Sequence, residues 1–334
     1  MRTILTRMPN VAADFIRNGG LAAFPTETVY GLGASIFDEG AIAKIFEAKR
    51  RPSGNPLIAH VGTLDQIDGL ILELPDNARR FIDAFFPGPL TLVLRKSERV
   101  PLIATAGLDT IGVRMPGNAV ANEFLKRCGV PVAAPSANIS GRPSPTTWEA
   151  VFDDLDGRID CILQGAATII GLESTVVDCT SADPIVLRSG AISLESLQEI
   201  VRTTRSQEND ENEIARSPGL KHKHYAPNAR VVIVGAGFEI PDVLSPGFSR
   251  PNAGEKPPES GTQNAKSAFI GIANPMGVLD LVKICDSVED YAHSVFAFFR
   301  ECDKGSIDTI YCQSVDETGI GVALMDRLRR AAAR

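Results

Sequence analysis

Six cysteines are spread singly through 334 residues, and no two of them stand as C-x-x-C. That absence speaks against a zinc ribbon and against a dithiol redox pair. Cys128, Cys161, Cys179, Cys285, Cys302 and Cys312 read instead as reduced thiols, mostly core, as expected of a cytoplasmic protein. No apolar run approaches the ~20 residues that cross a bilayer. Met1–Thr6 also lacks the apolar stretch and cleavage site of a secretory signal. No membrane partner is therefore expected. Aromatics are scarce, at 6%, and cations are outnumbered, 34 Lys and Arg against 41 Asp and Glu, for a net charge of −7. A nonspecific nucleic-acid binder needs a broad basic surface with stacking aromatics, and this composition argues against one. No G-x-x-x-x-G-K-[ST] is present, which excludes a P-loop enzyme. The serines lack the G-x-S-x-G setting of a hydrolase nucleophile, and four histidines offer no fitting partner.

What is present is ordinary globular composition, 44% hydrophobic and 22% charged, in a chain long enough for two domains. Short apolar runs alternate with amphipathic stretches from Pro9 to Val201. Helices are predicted over 9–20, 38–49, 64–72, 76–86, 119–128, 147–155 and 194–201. Strands are predicted over 21–24, 57–61, 91–94, 111–114, 130–134 and 161–163, with a hairpin pairing 175–178 and 185–187. Residues 203–228 are polar and read as a linker between domains. Beyond it, strands at 230–235, 268–273 and 309–312 alternate with helices at 291–303 and 321–333, around a Pro-, Gly- and Ser-rich loop at 241–264. The expected organisation is 1–202, a linker at 203–228, and a smaller α/β domain at 229–334. Gly319-Ile320-Gly321 opens the last helix and is too short to be a dinucleotide fingerprint. His222 and His224 lack a third ligand, so no metal site is expected of them.

Four segments carry chemistry. Pro25-Thr26-Glu27-Thr28-Val29-Tyr30-Gly31-Leu32-Gly33 follows a strand and offers hydroxyls, a carboxylate and a phenol, either as a ligand loop or as a self-satisfied turn. Lys49-Arg50-Arg51 ends a helix and enters a loop stiffened by Pro52 and Pro56. Cations suit the helix C-terminus, but fixed in one place they also suit phosphate oxygens. Arg114 lies in an apolar strand, where a guanidinium must find a partner or a ligand. His60 sits in another strand, where a lone histidine is more often structural than catalytic. Ala134-Pro135-Ser136-Ala137-Asn138-Ile139-Ser140-Gly141 follows a strand with neutral donors suited to a phosphate or carboxylate.

Taken in order, 25–33, 49–57, Gly112-Val113-Arg114-Met115-Pro116, 134–141 and Glu173-Ser174-Thr175-Val176-Val177-Asp178 resemble the YrdC-domain family. Ser217–Pro227 and Gly319–Leu328 resemble its long, two-domain form, the threonylcarbamoyl-AMP synthases. The resemblance spans nearly the whole chain. It implies an α/β fold: a twisted, mixed open sheet around a concave basic cavity, plus a smaller Rossmann-like C-terminal domain. It implies a nucleotidyltransferase that joins L-threonine, bicarbonate and ATP, with Mg²⁺, into threonylcarbamoyl-AMP and pyrophosphate. The product would pass to proteins that place threonylcarbamoyl on adenosine 37 of tRNA, with at most weak tRNA contact. By similarity, Thr28, His60, Arg114, Ala134 and Ser174 hold threonine. Arg51, Asn55, Thr110, Ser136, Ser144 and Arg188 hold ATP, with Lys49 and Asn138 beside its phosphates. Lys49 and Arg51 are the expected catalytic cations, and Tyr225 the linker residue that closes over the nucleotide. The rival readings are an RNA-binding module on the same fold and a hydrogenase-maturation carbamoyltransferase, whose zinc-binding cysteine pairs have no match here.

Overall fold

The computed structural model describes residues 2–52, 54–207, 225–237 and 265–333. His222, His224, most of the 203–228 linker and the 241–264 loop lie outside the described residues. The helices are α1 (Pro9–Arg17), α2 (Glu39–Lys49), α3 (Asp76–Phe85), α4 (Leu102–Thr105), α5 (Ala119–Cys128), α6 (Trp148–Leu155), α7 (Leu194–Ile200), α8 (Val288–Lys304) and α9 (Ile320–Ala332).

The larger sheet is built from β1 (Ile4–Thr6), β2 (Ala22–Phe24), β3 (Gly31–Ser35), β4 (Ile58–His60), β5 (Leu90–Arg95), β6 (Thr110–Arg114), β7 (Val132–Ala133), β8 (Cys161–Leu163), β9 (Thr175–Asp178), β10 (Ile185–Arg188) and β11 (Arg205–Ser206). In space the described strands run β1-β8-β2-β3-β7-β4-β6-β5-β9-β10-β11. Pairing is mixed: β4 and β6 run parallel, while β7 lies antiparallel to β3 and β4. The expected mixed α/β sheet is what the chain forms.

Side-chain alternation along β2 divides two cores, as a period of two requires. Ala23 faces one core with Ile42, Ile45 and Phe81. Ala22 and Phe24 face the other, against Ala13 and Ile16 of α1 and Phe124 and Leu125 of α5. Phe24 and Phe124 pack at 4.9 Å between ring centroids.

Strand β3 falls where the sequence suggests only a loop, because glycine is a poor strand residue in the abstract. Packing reverses that preference. A Cβ at Gly33 would stand 2.6 Å from Val132 Cγ1, and one at Gly31 3.2 Å from the Phe24 ring. A neighbour as close as Val132 requires glycine at 33, and at 31 a side chain would press on the Phe24 ring. The helix expected at 64–72 contracts to a 3₁₀ turn over Leu64–Ile67.

A second sheet, all parallel, is formed by β12 (Arg230–Val234), β13 (Ser267–Gly271), β14 (Leu281–Ile284) and β15 (Thr309–Gln313), in the order β12-β15-β13-β14. Helices α8 and α9 close its core, which also takes in Leu172 and Tyr225. Gly319 caps α9 at φ +53°, so the Gly-Ile-Gly stretch is a helix start.

Candidate active site

One pocket opens where the loops after β2 and β7 meet the end of β4, the end of β6 and the start of β9. It encloses about 690 Å³, part of it open to solvent. Its wall includes Thr28, Arg51, His60, Arg114, Ala134, Ser136, Asn138, Ser144, Ser174, Arg188 and Tyr225. Of the expected site residues, only Lys49, Asn55 and Thr110 stand outside this lining.

The parallel register of β4 and β6 sets His60 beside Arg114. Arg114 is buried, and its Nη2 donates to Glu27 Oε1 at 2.7 Å. Nη1 donates to Thr28 Oγ1 at 2.9 Å, and Nε reaches the Gly88 carbonyl at 3.3 Å. Of five guanidinium hydrogens, one on each Nη is left for a ligand, enough for a carboxylate. Burial would raise the Glu27 carboxyl, but the Arg114 charge and hydrogen bond prevail and hold it below the usual range. Thr26 gives its proton to the Val29 carbonyl at 2.7 Å. Thr28 is therefore the donor in the 2.8 Å contact between the two hydroxyls. The Tyr30 phenol faces away, bonded to Gly165 and Ala166, and belongs to the frame.

His60 is buried at 4% exposure, and its Nδ1 stands 3.2 Å from the Ile58 carbonyl. A carbonyl only accepts, so Nδ1 carries the hydrogen and Nε2 is a bare acceptor. Burial first, then the Arg114 charge, push the imidazole down to about 3. At neutral pH it is uncharged and a weak base, which suits binding better than proton abstraction.

The three consecutive cations after α2 part company at one residue. Arg50 caps the helix in the left-handed region, φ +52°, while the next amide, Arg51 N, returns to Phe46 O. That turn buries Lys49, exposes Arg50 and brings Arg51 into the pocket wall. Lys49 does not face the cavity. Its Nζ donates to the main-chain carbonyls of Ser136 and Asn138. Burial, then the Arg51 charge, hold the ammonium far below its ordinary value. Arg51 Nη2 bonds the Pro56 carbonyl at 3.2 Å, and burial lowers the group to about 10. Arg51 Nε and Asn55 Nδ2 are buried donors without a hydrogen-bond acceptor among the described residues. Thr110 lines an adjoining small cleft that shares the Pro56–Ile58 wall.

The Ser136 loop holds itself in shape. Ser136 Oγ donates to Asn138 Oδ1 at 2.6 Å, and Asn138 Nδ2 donates to the carbonyls of Ile139 and Arg142 at 2.9 Å. Across the pocket, Arg188 donates through Nε and Nη2 to the Ser174 carbonyl at 3.1 and 3.0 Å. Ser144 donates to Glu173 Oε1 at 2.6 Å, and Glu173 Oε2 accepts from Arg327 of α9 at 3.0 Å. Glu173, Arg142 and Arg327 received no role from the sequence. For Arg327 a signal existed: it shares a helical face with Leu324, Leu328 and Ala331, an arginine in an apolar stripe.

The lining holds four arginines, Arg51, Arg114, Arg142 and Arg188, against one carboxylate, Glu173. A concavity so charged favours anions. Two family models match the chain: one described as telomere recombination, over residues 14–190, and one described as threonylcarbamoyl-AMP synthase, C-terminal domain, over residues 192–333. The chain belongs to the threonylcarbamoyl-AMP synthase family. The Pyrococcus abyssi member is 42% identical over 326 residues, covering 96% of this chain and 93% of that protein. The Bacillus subtilis member is 38% identical, over 96% and 92%. The structure of Pyrococcus abyssi Sua5 complexed with L-threonine superposes with a TM-score of 0.85 at 40% identity, covering 99% of this chain and 97% of that one. That superposition takes in nearly all of this chain, both sheets included.

Proposed function

We propose that this pocket condenses L-threonine, bicarbonate and ATP into threonylcarbamoyl-AMP and pyrophosphate. The observation that carries the reading is that one cavity wall gathers two dissimilar sets of side chains. Thr28, His60, Arg114, Ala134 and Ser174 supply a mostly neutral set with one guanidinium. Arg51, Ser136, Asn138, Ser144 and Arg188 supply a second set of cations and neutral hydrogen-bonding groups in the same wall. The first set suits an amino acid, with the two remaining Arg114 hydrogens on its carboxylate and His60 Nε2 accepting from its hydroxyl or amine. The second suits a nucleotide.

The chemistry follows. The threonine amine and bicarbonate give a carbamate and water. A carbamate oxygen then attacks the α-phosphorus, the bond to the bridging oxygen breaks, and pyrophosphate leaves with that electron pair. The protein contributes position and charge. Arg51 neutralises negative charge moving onto the leaving phosphates. Lys49 acts from behind, fixing the Ser136–Asn138 carbonyls and so the donors in front of them. Asn55, through its buried amide, and Thr110, from the adjoining cleft, complete the nucleotide side. Tyr225 covers the site and keeps water from the mixed anhydride.

Among the described residues no group of three or more His, Cys, Asp or Glu is placed to hold an ion. Glu173 is spent on Ser144 and Arg327. Mg²⁺ would come with ATP, on its phosphate oxygens, and would supply charge neutralisation there. The product is handed to tRNA-modifying proteins in the cytoplasm, a setting in keeping with six buried free thiols. No helix among the described residues is long and apolar enough to cross a membrane.

Pyrophosphate release from Mg-ATP tests the reading. It should require both threonine and bicarbonate. Release independent of threonine sinks it, and tRNA binding at physiological salt without any such release favours the RNA-binding alternative.

A further inference from the structure

Arg327 is the largest fully buried side chain among the described residues, at 1% exposure, and it belongs to the wrong domain for the pocket it serves. Its Cα lies on α9 in the C-terminal unit, on the stripe that packs Leu324, Leu328 and Ala331 into that unit's core. Its guanidinium stands behind the wall of the N-terminal pocket, bonded to Glu173, which lines it. Nε donates to Glu173 Oε2 at 3.0 Å, Nη2 to the Ser189 carbonyl at 3.0 Å, and Nη1 to Asp326 Oδ2 at 2.8 Å. Its Cζ stands 5.5 Å from the centre of the Tyr225 ring. That ring stacks on Phe296 of α8 at 5.4 Å.

Three of these partners, Glu173, Ser189 and Tyr225, belong to the nucleotide half or stand one step from it. Glu173 bonds Ser144, Ser189 follows Arg188, and Tyr225 lines the cavity itself. On the reading given above, we propose that Arg327 is a positioning residue through which the C-terminal domain shapes the ATP half of the site and leaves Thr28, His60 and Arg114 alone.

The physical case is one of compensation. A carboxylate as buried as Glu173 stays ionised only beside fixed cations. Burial would raise it, and the charges of Arg327 and Arg188 hold it below its ordinary value. With Glu173 ionised, the single Ser144 proton is committed to it, so Ser144 shows the pocket lone pairs only. Ser144 therefore addresses a hydroxyl or amino group of the nucleoside, not a phosphate oxygen. Without Arg327, Glu173 either takes a proton, which frees Ser144 to turn, or draws on Arg188 and pulls it from the Ser174 carbonyl. The same loss removes the cation against Tyr225. Arg114, Thr28 and His60 share no hydrogen bond with Arg327, so the threonine contacts they make persist; Ser174, held by Arg188 through its carbonyl and hydroxyl, is the threonine-side residue that the change can reach.

The experiment is Arg327→Met in the full-length chain, with Arg327→Lys beside it. Michaelis constants for ATP and threonine are measured by pyrophosphate release, and threonine affinity without ATP by calorimetry. The expected result for Arg327→Met is a KM for ATP raised tenfold or more, with threonine affinity within twofold of wild type. Arg327→Lys, which restores charge opposite Glu173, recovers part of the ATP effect. An ATP KM within twofold of wild type overturns the proposal, and so does a parallel fall in ATP and threonine affinity. Should Arg327→Met not fold, Glu173→Gln attacks the same link with α9 untouched, and the same split is expected. A wild-type chain that releases no pyrophosphate defeats the reaction assignment alone. Calorimetry of the same variants with a non-hydrolysable ATP analogue then still decides the role of Arg327.

Discussion

Glu27 and Arg114 form a buried ion pair at 2.7 Å, 87 residues apart in sequence, and Arg114 lines the pocket. The pair sets the direction in which Arg114 points, because Thr28 and Gly88 take two more of its hydrogens. Removing one partner of a buried pair strands the other charge, at a cost of about 3–5 kcal/mol. Glu27→Ala should lose stability of that order in denaturant unfolding. It should also raise the KM for threonine by about tenfold while the KM for ATP holds, since Arg114 keeps its charge but not its aim. An unchanged threonine KM would show that Arg114 is held by its other contacts.

The three cations after α2 make distinct predictions. Arg51→Ala removes a pocket-lining charge and should cut pyrophosphate release by two orders of magnitude or more, with little change in melting temperature. Lys49→Met leaves the Ser136 and Asn138 carbonyls without their donor. It should lose activity and also stability, about 1–3 kcal/mol for buried groups left unsatisfied. Arg50 is exposed and left-handed, so Arg50→Gly should keep full activity and stay within about 1 kcal/mol of wild-type stability. Equal effects of all three changes would contradict this division of roles.

His60 predicts a pH dependence of folding. Its folded pKa is lowered to about 3, by burial first and the Arg114 charge second. The unfolded value is about 6.5. Below that value the unfolded chain binds a proton that the folded chain refuses. Stability is therefore intact above about pH 6.5 and falls as pH drops toward 3. The limiting slope is about 1.4 kcal/mol per pH unit. The carboxylates paired with arginine have depressed values too, so their losses begin at about pH 5, where the unfolded chain starts to protonate its carboxylates and the folded chain does not. Between about pH 6.5 and 5 the histidine contribution stands apart. Equilibrium unfolding of His60→Gln should show a slope shallower by up to one proton in that window. Identical slopes would mean that the folded protein admits the proton.

Much of this was legible in the chain, for local reasons. Helix α5 runs from its Asn118 cap to left-handed Gly129, and both signals stand in the sequence. Strand β3 was not legible, because its glycines serve contacts with Phe24 and Val132 that only the assembled sheet creates. The parting of Lys49 from Arg51 was equally hidden. It depends on a left-handed turn at an arginine, where sequence signals favour glycine or asparagine. The pocket half that faces the C-terminal unit was silent for a further reason. Glu173 and Arg327 are 154 positions apart, and neither neighbourhood suggests the other.

Gly171 offers the last test, at the seam between the two sheets. It sits at φ +82°, and a Cβ there would stand 2.5 Å from both Cα and O of His293 on α8. His293 Nε2 meets the Thr168 carbonyl at 2.8 Å in the same seam. Alanine at 171 meets two obstacles: a backbone conformation costing about 1–2 kcal/mol for an L-residue, and a main chain that cannot move aside as a side chain would. Relief requires α8 to shift, and α8 carries Phe296 beneath Tyr225 and Arg300 against Asp154. Gly171→Ala should therefore destabilise the fold by at least the conformational cost. It should also weaken ATP binding more than threonine binding, although Gly171 lines no part of the pocket. A variant with lower stability but unchanged ATP affinity would show that the seam can yield without moving the nucleotide wall.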